Sequence, residues 1–267
     1  MIALKRLIDP LRPRLKPSFL IIGAQKAGTS ALFKMLARHP QVIAPEVKEL
    51  HFFDDDDRYA KGITSYWRQF PTVPFREGER FTFEATPAYL FSGNSAERIH
   101  RHLPAARLVA VLRDPVKRAY SAWNMFRDFK GHPVHGHLHD ARSFAQAVEE
   151  EIAGKDVRWE HRYLARGHYA GQLQRYFALF DRDRFTIIDY ADLKNDPAKV
   201  LAHVLARVGL PPHHFDDAAL RVKDNVRAYV EPLDGTLAAE LYTYFAPHRQ
   251  ALIDLLGSAW ALDERKD

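Results

Sequence analysis

Pro17-Ser18-Phe19-Leu20-Ile21-Ile22-Gly23-Ala24-Gln25-Lys26-Ala27-Gly28-Thr29-Ser30-Ala31-Leu32 is the stretch whose reading decides the fold. The apolar run from Phe19 to Ile22 predicts a buried parallel strand. Gly23 breaks it, and a helical pattern restarts at Thr29 with Leu32, Met35 and Leu36 on one face. Strand, small-residue loop and helix in that order form a phosphate loop. The glycines let the backbone turn tightly, and the N–H groups of the loop and first helical turn converge on a spot that favours an anion.

The spacing Gly23-x-x-x-x-Gly28 is that of a nucleotide P-loop, but Thr29 stands where the P-loop lysine would follow. The lysine lies inside the loop, at Lys26, placed to reach a bridging or terminal phosphate oxygen. The usual γ-phosphate and magnesium arrangement does not follow from this pattern, so the expected ligand is a 5′-phosphorylated nucleotide other than ATP.

Working outward, 267 residues suffice for one large domain with a substantial core. The expected fold is α/β: a P-loop-like three-layer domain with a central parallel sheet flanked by helices, spanning 17–267 after a lead segment at 1–16. A net charge of +5 favours anionic ligands, yet 39 basic against 34 acidic residues is too balanced for a dedicated nucleic-acid binder. The absence of cysteine excludes disulfides, thiolate metal sites and a cysteine nucleophile, and leans toward a reducing compartment. Residues 1–16 have basic side chains but no long apolar run, so neither a signal peptide nor a membrane span is expected, and a cytoplasmic location is.

The second informative stretch is Arg107-Leu108-Val109-Ala110-Val111-Leu112-Arg113-Asp114-Pro115, continuing through Arg118 to Ser121. Its continuous aliphatic run suits a central parallel strand covered on both faces. Asp114 as N-cap and Pro115 at the first helical position then start a helix. Ligands of open α/β sheets sit at the carboxyl ends of strands, which places Arg113 beside the phosphate loop, with Ser121 two turns into the helix. A third stretch, Glu46-Val47-Lys48-Glu49-Leu50-His51-Phe52-Phe53-Asp54, sets a carboxylate and an imidazole among apolar anchors in a helical or tight-turn conformation, a pattern suited to acid–base chemistry. The polar stretch 130–140 holds His132, His135, His137 and His139 without a recognised ligand spacing, and reads as a solvated loop bordering the cleft. Further elements expected are helices over 62–70, 94–102 with Asn94 or Ser95 as cap, 143–152, 197–208 and 237–256, and strands over 81–85 and 184–190. Gly167-His168-Tyr169 is expected to open another helix.

Together these residues resemble the sulfotransferase superfamily that uses 3′-phosphoadenosine 5′-phosphosulfate (PAPS), in particular the heparan-sulfate sulfotransferase branch and its bacterial relatives. Gly23 to Ser30 is similar to that family's 5′-phosphosulfate loop. Arg113-Asp114-Pro115-x-x-Arg118-x-x-Ser121 is similar to its 3′-phosphate motif, and Glu49-Leu50-His51-Phe52-Phe53-Asp54 to the segment carrying its catalytic glutamate. The resemblance implies in-line sulfuryl transfer from PAPS to a hydroxyl or amine acceptor, with a carbohydrate or small molecule as the acceptor class. Glu49 is implied as base, Lys26 as the neutraliser of charge on the leaving phosphate, and His51 as the group that orients the acceptor or contacts the sulfuryl group. Gln25, Lys26, Ala27, Gly28, Thr29 and Ser30 are implied at the 5′-phosphate, and Arg113 and Ser121 at the 3′-phosphate. No metal is required. Glu84-Ala85-Thr86-Pro87-Ala88-Tyr89 has alanine where the glucosaminyl 3-O-sulfotransferases have lysine, which leaves the acceptor open. The family's late nucleotide-closing loop is missing, and the segment 223–227, with Arg227, is the expected replacement. Two alternatives stand beside this reading: a P-loop kinase or NTPase with Asp114 as metal-site carboxylate, and a non-catalytic polyanion-binding module.

Overall fold

The structure, a computed structural model, describes residues 13–73, 79–222, 229, 231–260 and 262. Four parallel strands form its sheet: β1 (Phe19–Gly23), β2 (Phe83–Ala85), β3 (Arg107–Leu112) and β4 (Phe185–Asp189), in the order β2-β1-β3-β4. The helices, in chain order, are α1 (Thr29–Leu36), α2 (Asp56–Ala60), α3 (Ile63–Trp67), α4 (Ala88–Phe91), α5 (Ser95–His102) and α6 (Pro115–Arg127), then α7 (Phe144–Ile152), α8 (Tyr169–Phe177), α9 (Tyr190–Asn195), α10 (Pro197–Val208), α11 (Asp217–Leu220) and α12 (Gly235–Leu256). Every residue of β1 and all of β3 after Arg107 are buried. Successive strand side chains point to opposite faces, so both faces are covered, as the unbroken aliphatic runs require.

β1 pairs with β3 in the register Phe19↔Arg107 to Ile21↔Val109, then slips so that Gly23 meets Ala110. This irregularity re-aims the chain as it leaves the sheet, and the Ala24 N–H donates to the Val111 carbonyl at 2.7 Å. The phosphate loop is thereby tied to the end of β3. Gly23 is needed for packing, because a Cβ there would lie 2.5 Å from Leu90 Cβ on α4.

Local signals mark several element ends. Asp114 caps α6 by accepting from the Lys117 N–H at 2.8 Å, with Pro115 in the first turn. Ser143 and Gln146 close a capping box on α7. Gly209, at φ 80°, ends α10. Three expectations needed adjustment. The second strand is shorter than expected, because Phe81 pairs with Val42 only as an isolated bridge. Asn94 precedes α5 without a side-chain cap bond. Segment 49–51 is neither helix nor ordinary turn, since Glu49 and His51 have φ values of 65° and 51°. The segment 223–227, expected to close over the nucleotide, lies outside the described residues.

The glycine contacts give a paired prediction. Gly23→Ala should destabilise the protein by about 1–3 kcal/mol through overpacking against Leu90. Gly171→Ala, within α8 and with nothing within 4 Å of the new methyl, should stabilise it by about 0.5–1 kcal/mol. Urea unfolding midpoints at constant m-value would measure both.

Candidate active site

One cleft of about 490 Å³ opens at the carboxyl ends of β1 and β3, where open α/β sheets place their ligands. It is lined by Gln25, Lys26, Gly28, Thr29, Ser30, Glu49, His51, Arg113 and Ser121. Residues almost a hundred positions apart in the chain are thus brought to one surface. Ala27 is not among the lining residues; its side chain is fully buried, and its N–H donates to the Ala24 carbonyl at 3.2 Å, within the loop. Arg227 lies outside the described residues.

The loop side of the cleft is built for an anion. Gly28 precedes α1 at φ 84° and no side chain caps the first turn of that helix, so its leading N–H groups face the cleft with the helix dipole behind them. Lys26 also has a positive φ, 66°. A Cβ at Gly28 would come within 3.1 Å of the Tyr190 ring, so the close approach of the loop to α9 requires glycine here. The Gln25 Oε1 is buried with no hydrogen-bond partner among the described residues. Arg113 donates to the Lys26 carbonyl at 3.3 Å and lies over the Tyr190 ring at 4.6 Å. Its own carbonyl accepts from the Tyr169 hydroxyl at 2.9 Å. Tyr190, which begins the helix after β4, lines the cleft although no motif marks it.

The opposite wall carries the acid–base groups on a strap, residues 49–54. The Glu49 N–H donates to the Ala85 carbonyl at 3.1 Å, and the Phe52 N–H to the Tyr89 hydroxyl at 3.2 Å. Arg58 donates to the Leu50 carbonyl at 2.6 Å, and Arg98 to that of Phe53 at 3.2 Å. Glu49 and His51 are held in the left-handed region, at a cost of roughly 1–3 kcal/mol each that the surrounding bonds must offset. His51 stands between two carboxylates: its Nδ1 is 2.8 Å from Asp54 Oδ2 and its Nε2 3.7 Å from Glu49 Oε2. Lys48 makes a close ion pair with Glu49.

These contacts set the charges. Burial alone would lower the His51 imidazole, but the hydrogen bonds and charges of Asp54 and Glu49 outweigh it and raise the pKa to about 9. For Glu49, burial pushes up, while the His51 imidazolium beside it and the charge of Lys48 hold the carboxyl at about 2. Desolvation among the apolar anchors, which would strengthen Glu49 as a base, is therefore not what sets its charge. In the resting protein two cationic partners outweigh desolvation, and His51 is an imidazolium at neutral pH.

Farther along the cleft lie Phe126, Phe129, His135, Leu138, Trp159, Glu160 and Arg166. The stretch 130–140 does border the cleft, through His135 and Leu138, and is pinned by the His132 Nδ1, which accepts from the Val134 and His135 N–H groups at 3.2 and 3.0 Å. Arg166 is only 3% exposed. Its guanidinium lies over Trp159 at 4.1 Å and Phe91 at 4.4 Å, and donates to the Trp159 carbonyl at 3.1 Å. Its Nε is buried without a partner among the described residues. Burial, reinforced by the charge of Arg118, lowers its pKa to about 9, so it remains cationic at neutral pH. The nearby acid Glu160 is already paired with Arg158 at 3.5 Å.

A parallel α/β sheet whose strand ends carry an anion loop, the Arg113 side chain and a carboxylate–imidazolium pair is an arrangement suited to group transfer from a phosphorylated donor. The chain matches the family described as "Sulfotransferase domain" over residues 16–229, and it belongs to that family. It is 33% identical over 226 residues to the mouse bifunctional heparan sulfate N-deacetylase/N-sulfotransferase 4, covering 82% of this chain and 25% of the relative. It is 30% identical over 196 residues to the mouse heparan sulfate glucosamine 3-O-sulfotransferase 5, covering 73% and 54%. The chain thus spans between a quarter and about half the length of these curated relatives. Among solved structures, a sulfotransferase from Alicyclobacillus acidocaldarius superposes with a TM-score of 0.71 at 28% identity, covering 92% of this chain and 98% of that one. The family match displaces the kinase reading, and Asp114, its candidate metal-site carboxylate, caps α6 through Oδ1.

The charge state of the strap is directly testable. The His51 ring should titrate near pH 9 by NMR, and Asp54→Asn should lower the midpoint because only Glu49 is left to offset burial. The sign for stability follows. A raised histidine pKa contributes stability fully present below about pH 6.5 and lost as pH rises through about 9, so the wild type should lose more stability over that interval than Asp54→Asn.

Proposed function

We propose that the protein transfers a sulfuryl group from PAPS to a hydroxyl or amine on a carbohydrate acceptor that carries an anionic group. The observation that carries this reading is the single cleft that collects the loop 25–30, Arg113, Ser121, Glu49 and His51. The fit to PAPS rests on the uncapped first turn of α1, the buried partnerless Gln25 Oε1 and the clearance that Gly28 leaves beneath Tyr190. The N–H groups of Gly28 and Thr29, with the hydroxyls of Thr29 and Ser30, would hold the 5′-phosphate; Arg113 and Ser121 would hold the 3′-phosphate. When bound, PAPS supplies the sulfuryl group and a bisphosphate leaving group.

The chain's own residues then divide the work. Lys26 neutralises charge on the leaving oxygen. His51, cationic and fixed by Asp54, orients the acceptor and donates toward negative charge at the reacting centre. Glu49 is the only member of the pair able to accept a proton at neutral pH, because His51 is already protonated. A carboxylate at about 2 pulls weakly on a hydroxyl. The acceptor's anion is inferred from Arg166, a buried cation on the cleft with no carboxylate paired to it among the described residues, and from relatives named for heparan sulfate.

Glu49→Gln keeps the shape and removes the basicity, so turnover should fall by a factor of about 10² to 10⁴ with affinity for the 3′,5′-bisphosphate product nearly unchanged. Arg113→Ala should weaken the 3′,5′-bisphosphate by about 1.5–3 kcal/mol more than adenosine 5′-phosphate, measured by calorimetry in the presence of chelator. Equal loss for both nucleotides would remove the 3′-phosphate assignment.

A further inference from the structure

Glu84 is the central residue of β2 and is fully buried, yet no lysine or arginine pairs with it among the described residues. Its carboxylate instead accepts from three hydroxyls: Tyr66 at 2.6 Å, Thr86 at 2.6 Å and Tyr89 at 2.7 Å. An apolar side chain would fill an interior strand position at far lower desolvation cost. The network has an outlet, and it is the catalytic strap. The Tyr89 oxygen accepts the Phe52 N–H at 3.2 Å, and the Thr86 oxygen lies 3.5 Å from the His51 nitrogen.

A hydroxyl has one proton. Because Thr86 and Tyr89 each donate that proton in a hydrogen bond to Glu84, their lone pairs are left to face the strap. Both side chains are fully buried, so water does not compete. With the Glu49 N–H on the Ala85 carbonyl, three N–H groups of the strap hang from β2 and the residues just after it, beneath the two backbones held at positive φ. Such conformations persist where several bonds determine them together.

We propose that Glu84, Thr86 and Tyr89 form a positioning brace that sets the geometry of the Glu49–His51 pair from behind, without contacting donor or acceptor. This rests on the sulfuryl-transfer reading above and gives a role to a motif that reading leaves unused. None of the three residues lines the cleft; between them only Pro87 and Ala88 do.

The test is Tyr89→Phe in the full chain, which removes one buried oxygen and keeps the ring. Turnover should fall about 10-fold or more, while calorimetric affinity for the 3′,5′-bisphosphate stays within about two-fold. The NMR titration midpoint of His51 should drop by at least about half a pH unit as the ring loses its fixed place between Asp54 and Glu49. That readout does not depend on activity, so it tests the brace even if the transfer reading fails. Should Tyr89→Phe fold poorly, Thr86→Val and Thr86→Ser replace it: the valine should reproduce the loss, and the serine, which keeps the hydroxyl, should restore most of it. Folded Tyr89→Phe or Thr86→Val protein with turnover within two-fold of wild type and an unmoved His51 midpoint would overturn the proposal. So would a parallel loss of bisphosphate affinity and turnover, which would mark a general structural role.

Discussion

The pairing of β1 with β3 is the constraint on which the rest of the structure depends. Two strands some ninety residues apart lie side by side and in parallel, so their carboxyl ends emerge together. The slip at Gly23 and the bond from Ala24 to Val111 carry one chain end across the other. The loop 24–28 and Arg113 become neighbours through backbone geometry before any side chain acts. Tyr190, arriving from the end of β4, fills the space beneath Arg113 and beside Gly28. Three strand ends therefore frame the donor side of the cleft, and the sheet fixes their spacing.

The acceptor side is organised differently, by charge and hydrogen bonding on an irregular strap. Local propensity would not hold Glu49 and His51 at positive φ; bonds from β2, Tyr89, Arg58 and Arg98 do. The resting ion pairs store the base in a weak state, with Lys48 and His51 both engaged by Glu49.

Much of this was legible in the sequence because it is local. Strand, loop and helix at 19–36, and strand, cap and helix at 107–127, declare themselves through aliphatic runs, glycine spacing, and the Asp-Pro helix start at Asp114. The relations that escaped are tertiary. Nothing in the spacing of Tyr66, Glu84 and Tyr89 shows that three side chains meet in one buried network, and no motif marks Arg166 as a buried cation on the cleft. Asp54 sat in the quoted segment, yet its bond to His51 depends on a left-handed backbone that no propensity suggests. The direction of the Glu49 shift is likewise set by the folded geometry, because Lys48 and His51 act on the carboxyl against desolvation.

The central claim is that two phosphate positions lie at the ends of β1 and β3, with the base facing them across one cleft. A crystal structure of the complex with adenosine 3′,5′-bisphosphate tests this most directly. The account predicts the 5′-phosphate on the N–H groups of Gly28 and Thr29, the 3′-phosphate on Arg113 and Ser121, and Glu49 across the cleft from the 5′ end. A nucleotide bound with its 3′-phosphate away from Arg113, or with its 5′-phosphate away from the loop, would contradict it.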